Sequence, residues 1–214
     1  MPRKVLIRDP SLPYHVVNQC DNREPFPASL SVLWGQFCEA LWEANVFLGA
    51  RIHSFVLMPN HYHLLIGCPE RDLGEVMRWV GRSVTEKHNR SEDRCGHLFR
   101  GRYRWSLIRN EIYLSHAYKY VYRNPVRAGL CNRVEQWPYS TLQFKLGART
   151  PLLKLNPTQS FWITEDMTLQ LDWLNFATPP SESQQIQAAL RRREFELPVK
   201  RIGRTQSPLE FRIS

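Results

Sequence analysis

The chain has 214 residues and a formal net charge of +9, with 43% hydrophobic and 12% aromatic residues. That length supports one domain with a sizeable core plus an appendage, and the composition is that of a globular chain rather than a disordered one. No apolar run approaches bilayer-spanning length and the N-terminus lacks a signal-peptide stretch, so no membrane partner is expected. Cys20, Cys38, Cys68, Cys95 and Cys131 are odd in number and widely spaced, with no Cys-x-x-Cys pair. That pattern excludes a disulfide framework, reads as reduced structural thiols and predicts a cytoplasmic protein.

In chain order, Tyr14 to Asn18 is expected to form a first strand; its His15 could face the site, but the preferred reading is a structural histidine at a strand edge. Ser29 is a candidate N-cap for a helix over Leu30–Leu48, whose Leu33, Phe37, Leu41, Ala44 and Leu48 recur at helical spacing before Gly49 closes it. Arg51 to Leu57 predicts a second strand, alternating His53, Phe55 and Leu57 against Ile52, Ser54 and Val56. Pro59-Asn60 turns or kinks the chain, and His61 to Ile66 forms a third, central strand. A second helix is expected over Asp72–Asn89, then a strand over His97–Ile108. On that strand Arg100, Arg102 and Arg104 would share one face and could track a phosphate backbone. A third helix begins after Asn110 and runs to Arg123, with Pro125 and Gly129 stopping it. Trp137 to Ser140 is expected to pack back on the core. From about residue 150 prolines punctuate two short helical stretches, Thr164–Phe176 and Ser181–Glu194, followed by a basic segment, Val199 to Thr205. This tail is expected to add nucleic-acid contacts or to cover the site.

Charge is concentrated rather than spread. Residues 71–133 hold 14 Lys and Arg against 6 Asp and Glu. Arginine dominates this segment, and its planar fork suits phosphate recognition.

Two motifs carry chemistry. In Met58-Pro59-Asn60-His61-Tyr62-His63-Leu64-Leu65, residues two apart share a strand face. His61 and His63 therefore project together about 7 Å apart, at roughly 3.3 Å rise per residue, and can chelate one divalent cation. In the third helix Tyr120 and Asn124 lie one turn apart. A tyrosine hydroxyl can serve as a covalent nucleophile, and an amide oxygen is a hard ligand suited to Mg²⁺ or Mn²⁺. Together these groups describe a metal-assisted phosphodiester cleavage site. Helical spacing alone does not single out Tyr120, because Tyr118 and Tyr122 are themselves spaced one turn apart.

The first motif, followed by Lys119-Tyr120-Val121-Tyr122-Arg123-Asn124-Pro125-Val126-Arg127-Ala128-Gly129-Leu130, resembles the REP-associated tyrosine transposases. These are domesticated bacterial relatives of the single-tyrosine insertion-sequence transposases, within the HUH endonuclease superfamily. Leu98-Phe99-Arg100-Gly101-Arg102-Tyr103 is also similar to that family, and the likeness runs from Pro13 to Ser140, about 60% of the chain. The resemblance implies an α+β fold, a ferredoxin-like two-layer sandwich of antiparallel sheet covered by helices. Residues 1–148 would form the catalytic domain and 149–214 a helical, basic C-terminal extension.

The resemblance further implies that Tyr120 is the nucleophile and that His61, His63 and Asn124 hold Mg²⁺ or Mn²⁺. Tyr120 would attack phosphorus, giving a 5′-phosphotyrosyl enzyme and a free 3′-hydroxyl, reversible by another 3′-hydroxyl. The implied substrate is single-stranded DNA carrying a hairpin of the repetitive extragenic palindrome type. Arg100, Arg102, Arg104, Lys119, Arg123 and Arg127 are its expected DNA contacts. A monomer is expected, a dimer being the alternative, and the bound protein would be nucleoid-associated. Rival readings are a cleavage-inactive DNA-hairpin-binding regulator, a metal-dependent hydrolase using water, and a purely structural interaction protein.

Overall fold

The computed structural model describes residues 5–20, 24–151, 153–158 and 163–197. Its elements run β1 (Tyr14–Gln19), α1 (Leu30–Leu48), β2 (Arg51–Leu57), β3 (His61–Gly67), α2 (Leu73–Ser91), β4 (Arg104–Leu107), α3 (Glu111–Arg127), α4 (Leu142–Lys145), α5 (Met167–Asn175) and α6 (Pro180–Ala189). The four strands form one antiparallel sheet in the order β2-β3-β1-β4, the expected α+β architecture. The basic segment Val199 to Thr205 lies outside the described residues.

Helix ends follow local chemistry. The Ser29 side chain accepts from Val32 N, and Gly49 closes α1 in the left-handed region at φ 64°. The Asp72 carboxylate caps α2 through Glu75 N, and the Asn110 side chain caps α3 through Tyr113 N. One apolar cluster joins α1 and α2 to the sheet face carrying Tyr14, Val16, Leu64, Ile66 and Leu107. A second joins Val56, Met58 and Leu65, from the opposite face and the β2–β3 turn, to α3, α5 and α6. The charged link between α1 and α2 is Lys87, whose Nζ donates to Glu43 Oε1 at 2.6 Å.

The chain after α3 straps both edges of the sheet. On the β2 side Leu57 N donates to Tyr139 O at 2.9 Å, Trp137 Nε1 to Leu57 O at 2.9 Å and Asn156 N to Ile52 O at 2.7 Å. The expected return of Trp137 to Ser140 onto the core takes this form. On the β4 side Leu107 N donates to Arg193 O at 2.9 Å and Phe195 N to Leu107 O at 2.8 Å. Pairing both edges removes the open ladder groups that would otherwise template association.

Several expectations are corrected. A bulge between Ile52 and Ser54 in β2 places Ile52 in the same cluster as Phe55 and Leu57, against the simple alternation. The strand expected from His97 starts only at Arg104; before it, Phe99 makes a single bridge to Cys20. Gly101, with no side chain to pack, interrupts the pairing, so Arg100, Arg102 and Arg104 are exposed but do not form a strand-spaced row. The third helix runs through Pro125 to Arg127. Gly129, at φ 70°, ends it: Leu130 N donates to Pro125 O and Gly129 N to Val126 O, both at 3.0 Å. Those two bonds are the Schellman pattern. The two tail helices are shorter than their patterns: Asp166 caps α5 and delays its start, while α6, opened by Pro180, already ends at Ala189.

Phe195 is fully buried and meets the Tyr113 ring edge-on at 5.2 Å. Phe195→Ala is expected to cost about 3–5 kcal/mol in urea unfolding, as large core truncations do. A change within about 0.5 kcal/mol would instead mark the segment as a loose surface appendage.

Candidate active site

The pairing of β1 with β3 builds the site. Val17 lies opposite His63 and Gln19 opposite His61. His15, Val17, Gln19, His61 and His63 all line one cleft of about 280 Å³, on the sheet face away from α1 and α2. Tyr62, Leu64 and Ile66 point the other way into the core. β3 is an interior strand, so its backbone is held from both sides. The rings of His61 and His63 are 4.9 Å apart and nearly perpendicular.

α3 crosses above them. The Tyr120 ring sits 5.5 Å from His63 and 6.1 Å from His15, edge-on to both, and is 8% exposed. Tyr120, Asn124 and Arg127 line the same cleft as the histidines. Continuation of α3 through Pro125 is what keeps Asn124 within regular helix. Its Nδ2 donates to Tyr120 O at 2.8 Å; a carbonyl only accepts, so the amide nitrogen is engaged there and Oδ1 is left as the ligand atom. The Arg127 guanidinium lies 4.8 Å from the Tyr120 ring centroid.

The other tyrosines of the helix are placed differently. Tyr118 and Tyr122 are buried in the second cluster. Lys145 Nζ donates to Tyr118 Oη at 2.7 Å, and Tyr122 Oη pairs with Thr141 Oγ1 at 3.0 Å. Burial holds the Tyr118 phenol well above its ordinary range and pushes that of Tyr122 up to about 12. Tyr113 packs on Phe195.

Each cleft imidazole is held neutral. Burial, then the Arg104 charge, lowers His61 to about 4 and His15 to about 3. Burial also holds His63 well below the usual imidazole range, helped by His15, His61 and the nearby arginines. A neutral imidazole is the form that ligates a metal. His61 Nδ1 meets Asn60 Oδ1 at 2.6 Å, and His63 Nδ1 meets His15 Nε2 at 2.9 Å. Both Nδ1 atoms are thus engaged, leaving the Nε2 atoms for a cation, the outer-sphere arrangement common around metal-bound histidine. Among the described residues no group of three His, Cys, Asp or Glu side chains is placed to hold a metal ion; His61, His63 and the Asn124 amide oxygen face one cleft as a mixed nitrogen and oxygen donor set that would suit a divalent cation such as Mn²⁺ or Mg²⁺.

Basic residues rim the site unevenly. Arg104 and Arg127 line the main cleft. His116, Lys119, Arg123 and Arg127, successive positions along one ridge of α3, line an adjoining notch of about 40 Å³ with Thr178 and Ser183. Burial and then Arg123 lower the Lys119 ammonium to about 8. Arg123 donates to the carbonyls of Leu174 and Asn175 at 2.8 and 2.7 Å, so part of its guanidinium is committed to closing α5. Arg100 and Arg102 are exposed outside both cavities.

Three participants escaped the sequence reading. His15 is not a structural strand-edge histidine: it is 2% exposed on an interior strand, against His63. Its position two residues before Val17 and four before Gln19, on one strand face, was the available signal. Gln187 and Arg191, at the end of α6 and just beyond it, close the cleft from the C-terminal segment, and nothing local in the sequence marks them.

The folded pKa values of His15, His61 and His63 lie below the unfolded value near 6.5. The unfolded chain therefore binds more protons in acid, and stability is expected to fall as pH drops below about 6.5. The decline from His61 levels off near 4 and that from His15 nearer 3. Thermal unfolding across this range checks it; an unchanged midpoint from about pH 7 to 4 would show that these rings are solvated.

No protein-family model matches the chain. A REP-associated tyrosine transposase of Escherichia coli is 32% identical over 92 residues, which is 42% of this chain and 53% of that protein. A protein of Haemophilus influenzae is 30% identical over 99 residues, 41% of this chain and 56% of its own length. The chain thus spans about half the length of the curated relatives it matches. The solved structure of a REP-associated tyrosine transposase bound to a REP hairpin superposes with a TM-score of 0.57 at 21% identity. The match covers 75% of this chain and 94% of that one, and it shows a common fold. The sequence likeness agrees with the two motifs: over about two fifths of its length the chain is similar to the REP-associated tyrosine transposases.

Proposed function

We propose that the chain is a metal-dependent single-strand DNA nuclease and strand transferase that acts on hairpin-forming palindromic DNA through a phosphotyrosine intermediate. The observation that carries this reading is the placement of Tyr120 and Asn124 in one cleft with His61 and His63, a set that a purely binding protein does not require. A divalent cation on His61, His63 and Asn124 would supply Lewis-acid neutralisation of charge developing on the scissile phosphate. Tyr120 Oη attacks phosphorus while the bond to the 3′-oxygen breaks. The DNA 5′-phosphate is left on the tyrosine, Oη gives up its proton to solvent, and the departing 3′-oxygen takes one up from solvent to leave as the 3′-hydroxyl. Attack by another 3′-hydroxyl reverses the step, so the bond energy is kept and no nucleotide cofactor is needed. Arg127 lies over the Tyr120 ring at the edge of the cleft, where its charge would meet the scissile phosphate.

A solved structural neighbour, a REP-associated tyrosine transposase, was bound to a REP hairpin, and a hairpin is the substrate class proposed here. The stem would be held by phosphate contacts from Arg100, Arg102, Arg104, Lys119, Arg123 and Arg127, with unpaired bases read singly. Tyr120 and both histidines come from the same chain, so a monomer is sufficient for the chemistry.

A labelled single-stranded hairpin incubated with Mn²⁺ or Mg²⁺ is expected to give a protein-linked band on a denaturing gel. Tyr120→Phe, His61→Ala and chelator should each abolish it, while Tyr120→Phe keeps hairpin binding. Cleavage without a covalent band would favour water as nucleophile, and binding without either would favour the regulator reading. Arg104→Ala is expected to weaken hairpin binding and to reduce the salt slope by about one, as loss of one phosphate contact does; an unchanged slope would remove Arg104 from the interface.

A further inference from the structure

His15 has no assigned role, yet it makes the most buried polar contact in the cleft. Its Nε2 lies 2.9 Å from His63 Nδ1, and the two rings stack at 5.1 Å with an interplanar angle of 20°. Both residues are nearly inaccessible, at 2% and 5% exposure. The contact joins neighbouring strands across 48 residues of sequence, so it is built by the sheet register rather than by local chain geometry.

The partners of the two rings are unequal. His15 Nδ1 is buried with no hydrogen-bond partner. No second group therefore dictates where His15 carries its proton, and its Nε2 can act as a donor or an acceptor toward His63. The His63 ring, by contrast, faces the cleft beside His61 and Tyr120. A cation on His63 Nε2 requires a lone pair there, which puts the His63 proton on Nδ1 and demands an acceptor at that atom. The group within reach of it is His15 Nε2.

We infer that His15 is a positioning residue for the metal site, accepting the Nδ1 proton of His63 and thereby fixing the ring orientation and tautomer that present Nε2 to a divalent cation. The inference rests on the proposed assignment of His61 and His63 as ligands. His15 itself stays outside the coordination sphere, because its Nε2 is committed to His63. With Nε2 accepting, the His15 proton sits on its buried, partnerless Nδ1, a cost that cation binding at His63 has to offset.

The test is Mn²⁺ affinity of the metal-free full chain, measured by titration calorimetry without DNA. His15→Phe keeps the ring volume but removes the acceptor and is expected to raise the Mn²⁺ Kd about 10–100-fold, the usual cost of losing an outer-sphere partner. His15→Gln places an amide oxygen near the former Nε2 and should recover most of that loss. Nitrogen-15 NMR of the imidazoles of the unaltered, Mg²⁺-saturated chain gives an independent readout. It is expected to show His63 protonated at Nδ1, with the His15 nitrogens free of metal-induced shifts. Unchanged affinity in His15→Phe, equal loss in both variants, or direct metal shifts at His15 would each overturn the inference. His61→Ala separates the two levels: if it leaves Mn²⁺ affinity intact, the proposed ligand set fails, whereas loss there with no effect at His15 overturns only the positioning role.

Discussion

The placement of the cleft histidines depends on the antiparallel register of β1 against β3. With Val17 opposite His63 and Gln19 opposite His61, His15, Gln19, His61 and His63 fall on one face and Tyr62, Leu64 and Ile66 on the other. Because side chains alternate with a period of two, a slip of one residue would drive both histidines into the aromatic core under α1 and α2. The apolar set that specifies the register is thus the same device that aims the imidazoles. Stability of the core and geometry of the site are one constraint seen from two faces of a sheet.

The second face is completed by α3, and α3 is held in place from outside the motif region. Its apolar side packs with α5, α6, Phe195 and Leu197 in one cluster, and Arg123 reaches from it to the closing carbonyls of α5. Strand-like contacts from the same downstream chain cover Ile52, Leu57 and Leu107 at the two sheet edges. The C-terminal segment therefore buttresses the helix that carries Tyr120, and through Gln187 and Arg191 it also forms one wall of the cleft.

Burial shapes the chemistry of this cleft more than any single ion pair does. Three imidazoles are held neutral in acid by desolvation, with arginine charge as a smaller contribution. Neutral rings are ready ligands, and the arginines that oppose their protonation are also available to a polyanion. A basic rim over a neutral, nitrogen- and oxygen-lined floor suits a cation bridging the protein to a phosphate.

Much of this was legible in the sequence because it is local. Strand alternation places His61 with His63, helical spacing places Tyr120 with Asn124, and Ser29, Gly49, Asn110 and Gly129 mark helix ends through capping chemistry that acts within a few residues. Two local signals misled: Pro125 was read as a stop, although the helix runs on to Arg127 and is closed by the amides of Gly129 and Leu130, four and five residues later, and the arginines at 100, 102 and 104 were read as a strand row that Gly101 interrupts. The choice of Tyr120 over Tyr118 and Tyr122 needed the family motif, since helical spacing offers both sets. Only tertiary structure shows why the latter two are unavailable, with their hydroxyls paired to Lys145 and Thr141 in the core. Only tertiary structure could bring His15 against His63 and carry α6 to the mouth of the cleft. Those contacts arise from strand register and from packing between distant segments, which no local periodicity records.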